Sequence, residues 1–191
     1  ISLYWIFIAL HTYGEVASPL SLLTLLLLAL ILAGFLGVTF YLTVRLSRFG
    51  IPMGLLLVTG WLTQDWCRNF FPFGGFSWSS LAYSQGNFLS LLQIADLTGP
   101  YGVTFLILLT NLLIGEVALF LRRKVAPPSR LALLWLLCMG LAFGYGRWRL
   151  QDPAFSDGPM KRLALIQGNI PQEEKWVSQE LEGIIQKQVE L

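Results

Sequence analysis

Charge is what this chain lacks most. Only 13% of its 191 residues are charged, about half the usual share for a soluble domain. Hydrophobic residues make up 55%, so there is too little polarity to cover a soluble surface. A single histidine, His11, excludes a His-rich metal centre, and only two cysteines occur, Cys67 and Cys138. Cys138 sits inside an apolar run and the pair fits no ligand spacing, so neither a disulfide framework nor a metal site is indicated. A net charge of +2 identifies no partner by itself. No cofactor and no nucleic-acid partner are expected.

What the chain has instead is long apolar runs. Residues 18–44 contain no charge at all, and as a helix they would extend about 40 Å, more than a bilayer core requires. Further spans are expected at 51–67, 101–121 and 129–146, with 1–10 as a partial span. The run at 51–67 is the shortest; Pro52 suits its first turn, and Gln64, Asp65 and Arg68 at its far end belong at headgroup level. Residues 1–150 thus read as a polytopic α-helical membrane bundle. Both ends of the chain look like cuts through a longer protein.

Basic residues set the orientation. Arg45 and Arg48 follow the first full span, and Arg122, Arg123, Lys124 and Arg130 follow the third. Alternating spans place both loops on one side, and their six basic residues without an acid mark it as cytoplasmic. The polar C-terminal segment is then external. Glu116 lies near enough to the cytoplasmic face to anchor there, although an acid within a span is also a candidate functional group. Asn111, beside Thr110, is expected to join helices.

The loop at 69–99 is unusual. It holds five Phe, Trp78 and Tyr83, with Asp96 as its only charge. Pro72, Gly74, Gly75 and Gly86 interrupt it too often for a span, yet it is too apolar for a solvated loop. Aromatic rings with polar neighbours partition to the interface, so it should lie along the outer membrane surface, with a short helix at 90–97. It reads either as an interfacial anchor or as a mouth through which acyl chains reach a domain above. Asp65 and Arg68, three apart on one helical face, can pair at its inner edge.

After a turn-rich linker at 151–160, residues 161–167 have the composition of a buried strand. A turn follows, and then a segment with helical spacing carrying Trp176 and Leu181. Residues 161–191 therefore read as the first strand and helix of an α/β domain, too short to bury a core alone.

These residues carry a family resemblance. Trp5 with Thr12-Tyr13-Gly14, then Trp61, Asp65 and Arg68, then Gly75-Phe76-x-Trp78 and Tyr83-Ser84-Gln85, Gly99, and finally Gln167-Gly168-Asn169-Ile170-Pro171-Gln172 with Lys175-Trp176 occur in one order along one pattern of spans. In this the chain resembles the bacterial apolipoprotein N-acyltransferases, polytopic inner-membrane enzymes with an external nitrilase-like (αββα) domain. It departs from the family's usual pattern in having Asp65 where Glu is common and Ser77 where Pro precedes the loop Trp.

The resemblance implies an acyltransferase. An acyl chain passes from a membrane phospholipid to a cysteine thiolate, and then from the thioester to the α-amine of a diacylglyceryl-cysteine lipoprotein. A Glu, Lys and Cys triad does this chemistry, and none of the three is assignable here; they are expected beyond residue 191. Cys138 lies in hydrocarbon, where a thiolate is disfavoured, and Cys67 has no Lys beside it. The resemblance makes Trp176, Trp78, Phe76 and Tyr83 candidates for contact with substrate. Asp65, Arg68, Asn169 and Gln167 are candidates for orienting roles. Trp176 reads equally as packing of the first external helix. Two rivals stand beside this reading: a non-catalytic membrane scaffold with a nitrilase-like domain, and a transporter segment, whose spans would need more polar lining than these have.

Overall fold

The computed structural model describes residues 3–71, 74–122 and 126–151, and the single positions 167 and 186. The expected strand at 161–167 and the helix after it lie outside the described residues, except that Gln167 is exposed and belongs to neither a helix nor a strand. The regular elements among the described residues are all helices. Their contacts fall into two units, one containing Ile1–Leu30 and the other Ile31–Ser156.

In the first unit, α1 (Tyr4–Ile8) runs directly into a π-helical turn at Ala9–Tyr13, so the helical path extends a few residues past the expected partial span. Gly14 N–H donates to the Ala9 carbonyl at 3.0 Å and closes that turn. His11 Nδ1 lies 2.9 Å from the Val16 carbonyl and Ser21 Oγ donates to the same oxygen. This small polar knot turns the chain into α2 (Ser18–Ser47).

In the second unit, α2 ends and α3 (Met53–Cys67), α6 (Pro100–Leu121) and α7 (Ser129–Leu150) follow. Pro52 stands just outside α3, where its carbonyl accepts from Leu56 N–H at 3.2 Å. Among the described residues α2, α6 and α7 are long and apolar enough to cross a membrane. Only 6% of the most apolar stretch of α2 is buried within the protein, which water would penalise and lipid does not. The described helices are therefore those of a multi-pass membrane protein. At 15 residues, or about 22 Å, α3 falls short of the hydrocarbon thickness.

Between α3 and α6 the loop folds into a 3₁₀ turn (Leu81–Gln85), α4 (Leu89–Leu92) and α5 (Ala95–Thr98). The single short helix expected at 90–97 is in fact two turns, α4 and α5, broken at Gln93 and Ile94. The core sits where α4 wedges between α6 and α7: Leu91, Leu106 and Ala142 are buried, with Phe105, Cys138 and Met139 packed around them. Cys138 is thus a core side chain.

Helices in lipid gain little from apolar burial and rely on close packing instead. Gly54 of α3 faces the Leu112 side chain of α6, and Gly60 faces Thr39 Cγ2 of α2. Trp135 Nε1 donates to Thr110 Oγ1 at 2.8 Å, linking α7 to α6. Thr110 therefore joins the helices, and its neighbour Asn111, given that role from sequence, is exposed.

The tightest approach is at Gly146, where a Cβ would be driven into the Ser90 carbonyl. Backbone cannot swing aside as a side chain can. Gly146→Ala should therefore separate α4 from α7 and cost about 1–3 kcal/mol as an overpacking change. Gly140→Ala, with nothing within 4 Å, should be neutral or slightly stabilising. Thermal unfolding of both variants in detergent checks the contrast, and equal midpoints would contradict this packing.

Candidate functional site

The last turn of α3 sorts its side chains by helical spacing. Gln64 and Asp65 turn inward and are buried, while Trp66 turns outward and is exposed, its ring centroid 4.9 Å from that of Phe70. Asp65 Oδ1 accepts from Gln64 Nε2 at 2.8 Å and from Arg68 Nη1 at 3.4 Å. Arg68 Nη2 reaches across to the carbonyls of Phe76 and Trp78, while its own carbonyl accepts from Phe76 N–H at 2.6 Å. One guanidinium therefore fastens the loop to α3 at two carbonyls.

The loop can reach that position because Gly75 has φ +107, a region closed to most residues. A Cβ there would also overlap the Asn69 carbonyl. Asn69 Nδ2 donates to the Tyr101 hydroxyl, and Ser80 Oγ lies 3.4 Å from Thr104 Oγ1. These bonds attach the loop to α6 as well. A pocket of about 50 Å³ remains among Asp65, Arg68, Asn69, Ser80, Tyr83 and Tyr101. Above it Trp78 and Tyr83 are exposed, 58% and 61%, and Phe76 is half-buried.

A second polar anchor holds the far end of the loop. Asp96 in α5 accepts from the Tyr145 hydroxyl at 2.8 and 2.7 Å and from Arg149 Nε at 3.0 Å. The Tyr145 hydrogen bond, together with the Arg149 charge and hydrogen bond, holds the Asp96 carboxyl below the usual carboxylate range. Sequence reasoning assigned Asp96 no partner. Tyr145 and Arg149 are two donors four apart on one helix, but about fifty residues from Asp96, so no local spacing pointed to them.

The structure thus brings Asp65, Arg68, Phe76, Trp78 and Tyr83 into one neighbourhood. Gln167 is exposed and joined to none of them by the described bonds, and Asn169 and Trp176 lie outside the described residues. Cys67 is half-buried and faces a groove between α2 and α3. Among the described residues, what this arrangement does is fix the backbone of the aromatic loop against α3.

Residues 1–113 match the family described as the apolipoprotein N-acyltransferase N-terminal domain, which covers more than half the chain. The chain belongs to that family. It is similar to the apolipoprotein N-acyltransferase of Geobacter metallireducens, 38% identical over 91% of this chain and 33% of the relative. It is also similar to those of Nitrosomonas europaea, 29% identical over 98% of this chain and 36% of the relative, and Azotobacter vinelandii, 34% identical over 93% and 34%. The chain spans about a third of the length of the curated relatives it matches. No solved structure matches it.

Two predictions follow from the anchors. Arg68→Met leaves the buried Asp65 without its cation and frees two loop carbonyls, which should cost about 3–5 kcal/mol. It should also speed amide hydrogen exchange at Phe76, whereas Arg68→Lys, lacking the planar fork, should fall between. Unchanged exchange at Phe76 would show that the guanidinium does not hold the loop. At the other anchor, a depressed carboxyl pKa contributes stability above its unfolded value and loses it as pH falls through the folded one. The thermal midpoint of the native protein relative to Asp96→Asn should therefore shrink as pH drops below about 4, and a constant difference down to pH 2.5 would remove the clasp from the account.

Proposed function

We propose that this chain is the membrane platform and outer mouth of an apolipoprotein N-acyltransferase. The complete enzyme would move an acyl chain from a glycerophospholipid to a cysteine as a thioester, and then to the terminal amine of a diacylglyceryl-cysteine lipoprotein. The observation that carries this reading is the aromatic loop, whose backbone is fixed by Arg68 while Trp78 and Tyr83 stay exposed. Rings held open at the interface suit a surface that admits chains better than one that merely packs. The basic residues at Arg45, Arg48, Arg122 and Arg130 support a cytoplasmic position for the opposite end, with the loop and the segment after 151 outside a bacterial inner membrane. On this topology α3 completes the set of spans. The Glu, Lys and Cys that react would belong to the nitrilase-like domain begun at 161–191. Trp176 would support it from its first helix, and Asn169 and Gln167 from the turn before that helix.

The roles are those of a doorway. Trp78, Phe76 and Tyr83 would touch the incoming chain, and Asp65 and Arg68 would hold the backbone that presents them. Replacing Phe76 and Trp78 together by Ser in the complete protein should slow thioester formation about tenfold, or about 1.4 kcal/mol of barrier. Helical content should stay unchanged. The acylated cysteine can be trapped and counted by mass spectrometry over time. Equal rates in the native and double-variant proteins would remove the doorway role.

A further inference from the structure

Glu116 is an acid inside an apolar stretch of α6. Val117 to Leu121 follow it before the helix ends, all apolar, and Phe120 and Leu121 are exposed. Glu116 itself is half-buried and forms no ion pair with another described residue. An acid at that depth is costly unless something answers its charge.

The register of α6 against α7 brings a base to the same level. Counted from the bond between Trp135 and Thr110, Glu116 lies six residues along α6 and Arg130 five residues back along α7. Both are thus about 8 Å toward the same end of the bundle. They line one cavity of about 450 Å³ together with Pro127 and Pro128, yet they do not pair directly among the described residues. The two prolines have no N–H to offer the carboxylate, and Ser129 N–H donates to the Pro127 carbonyl at 2.8 Å. An acid and a base therefore face a shared space with no partner from the walls.

Glu116 also borders an apolar groove of about 620 Å³ between α3 and α6. The groove runs along α6 from Arg122 to Leu108, or about 21 Å. One leaflet of hydrocarbon is about 15 Å deep, so an acyl chain fits lengthwise. Among the described residues Glu116 alone lines both the groove and the cavity.

We propose that the two spaces hold one zwitterionic phospholipid with a primary ammonium, of the phosphatidylethanolamine type. Its ammonium donates to Glu116, its phosphate accepts from Arg130, and one chain lies between α3 and α6. Phosphate and ammonium in that headgroup lie side by side at nearly one depth, as the acid and the base do here. Bonds of this charge-assisted kind are roughly twice as strong as neutral ones. A choline head has no N–H for the carboxylate, and a glycerol head brings no cation. The place is at the end of α6 away from the aromatic loop, so the lipid is a resident one that ties α6 to its neighbours, and the inference does not rest on the doorway.

The test needs no turnover. Three phospholipids with the same chain-end diazirine, bearing ethanolamine, choline or glycerol heads, are photo-crosslinked to the complete protein in phosphatidylcholine nanodiscs. The ethanolamine lipid should label α3 and α6 about three- to tenfold more than either of the others, the ratio expected for one hydrogen bond. Glu116→Leu should bring it down to the choline level with helical content unchanged. Gly115→Leu should reduce labelling by all three, since Gly115 lines the groove and has nothing within 4 Å. Equal labelling of the native protein by the three heads would overturn the site, as would an ethanolamine preference that survives Glu116→Leu. Strongest labelling by the glycerol head would also overturn it, because Arg122 and Arg130 would then be selecting an anion. None of these outcomes touches the doorway, which is read from thioester kinetics alone.

Discussion

A single guanidinium at the end of α3 holds the rest of the site in register. The loop after it has adjacent glycines, Gly74 and Gly75, at positive φ, and no sheet or long helix of its own to satisfy its backbone. At the edge of a membrane, carbonyls without partners are expensive. Arg68 meets that need at Phe76 and Trp78 while answering the Asp65 charge. A lysine could supply the charge but not the fork, because its point-like ammonium cannot address a carboxylate and two separated carbonyls in one plane. Asp65 in turn is steadied by Gln64, so three neighbouring side chains on one helical turn decide where the aromatic rings stand.

The other half of the loop depends on shape instead. α4 can enter between α6 and α7 only because position 146 lacks a side chain facing Ser90. Leu91 then reaches Leu106 and Ala142 to form the core. Asp96, Tyr145 and Arg149 close the arrangement at its margin. The loop is thereby stretched between a charge anchor on α3 and a packing anchor on α7. Its backbone is fixed at both ends, and its exposed rings lie between them. That division lets a surface be apolar and open without collapsing onto itself.

The helices were legible from the sequence because lipid imposes a simple rule: uncharged runs of sufficient length become spans. Some helices run past their expected ends, as does α7, which continues through Arg147 and Arg149 to Leu150, since cations at a helix C-terminus are favourable and do not end it. The Asp65 and Arg68 spacing was readable because it is local. Asp96 with Tyr145 and Arg149 was not, because the partners are about fifty residues apart and meet only through the α4 wedge. The same holds for Gly146, whose meaning depends on a backbone carbonyl in another element. Asn111 is the more polar side chain of the two, yet register places its neighbour Thr110 against Trp135.

Polarity in the second unit is sorted by depth. Both ion pairs among the described residues, Asp65 with Arg68 and Asp96 with Arg149, lie at the end of the bundle where α3 and α7 finish and α6 begins. The opposite end carries Arg45, Arg48, Arg122 and Arg130. Paired charges build structure at a fixed place, whereas clustered cations mainly respond to a membrane's surface potential. The paired end is also where the aromatic loop is found, held there by Arg68. The last turn of α3 supplies one of these pairs and, through the same Arg68, the tie to the loop.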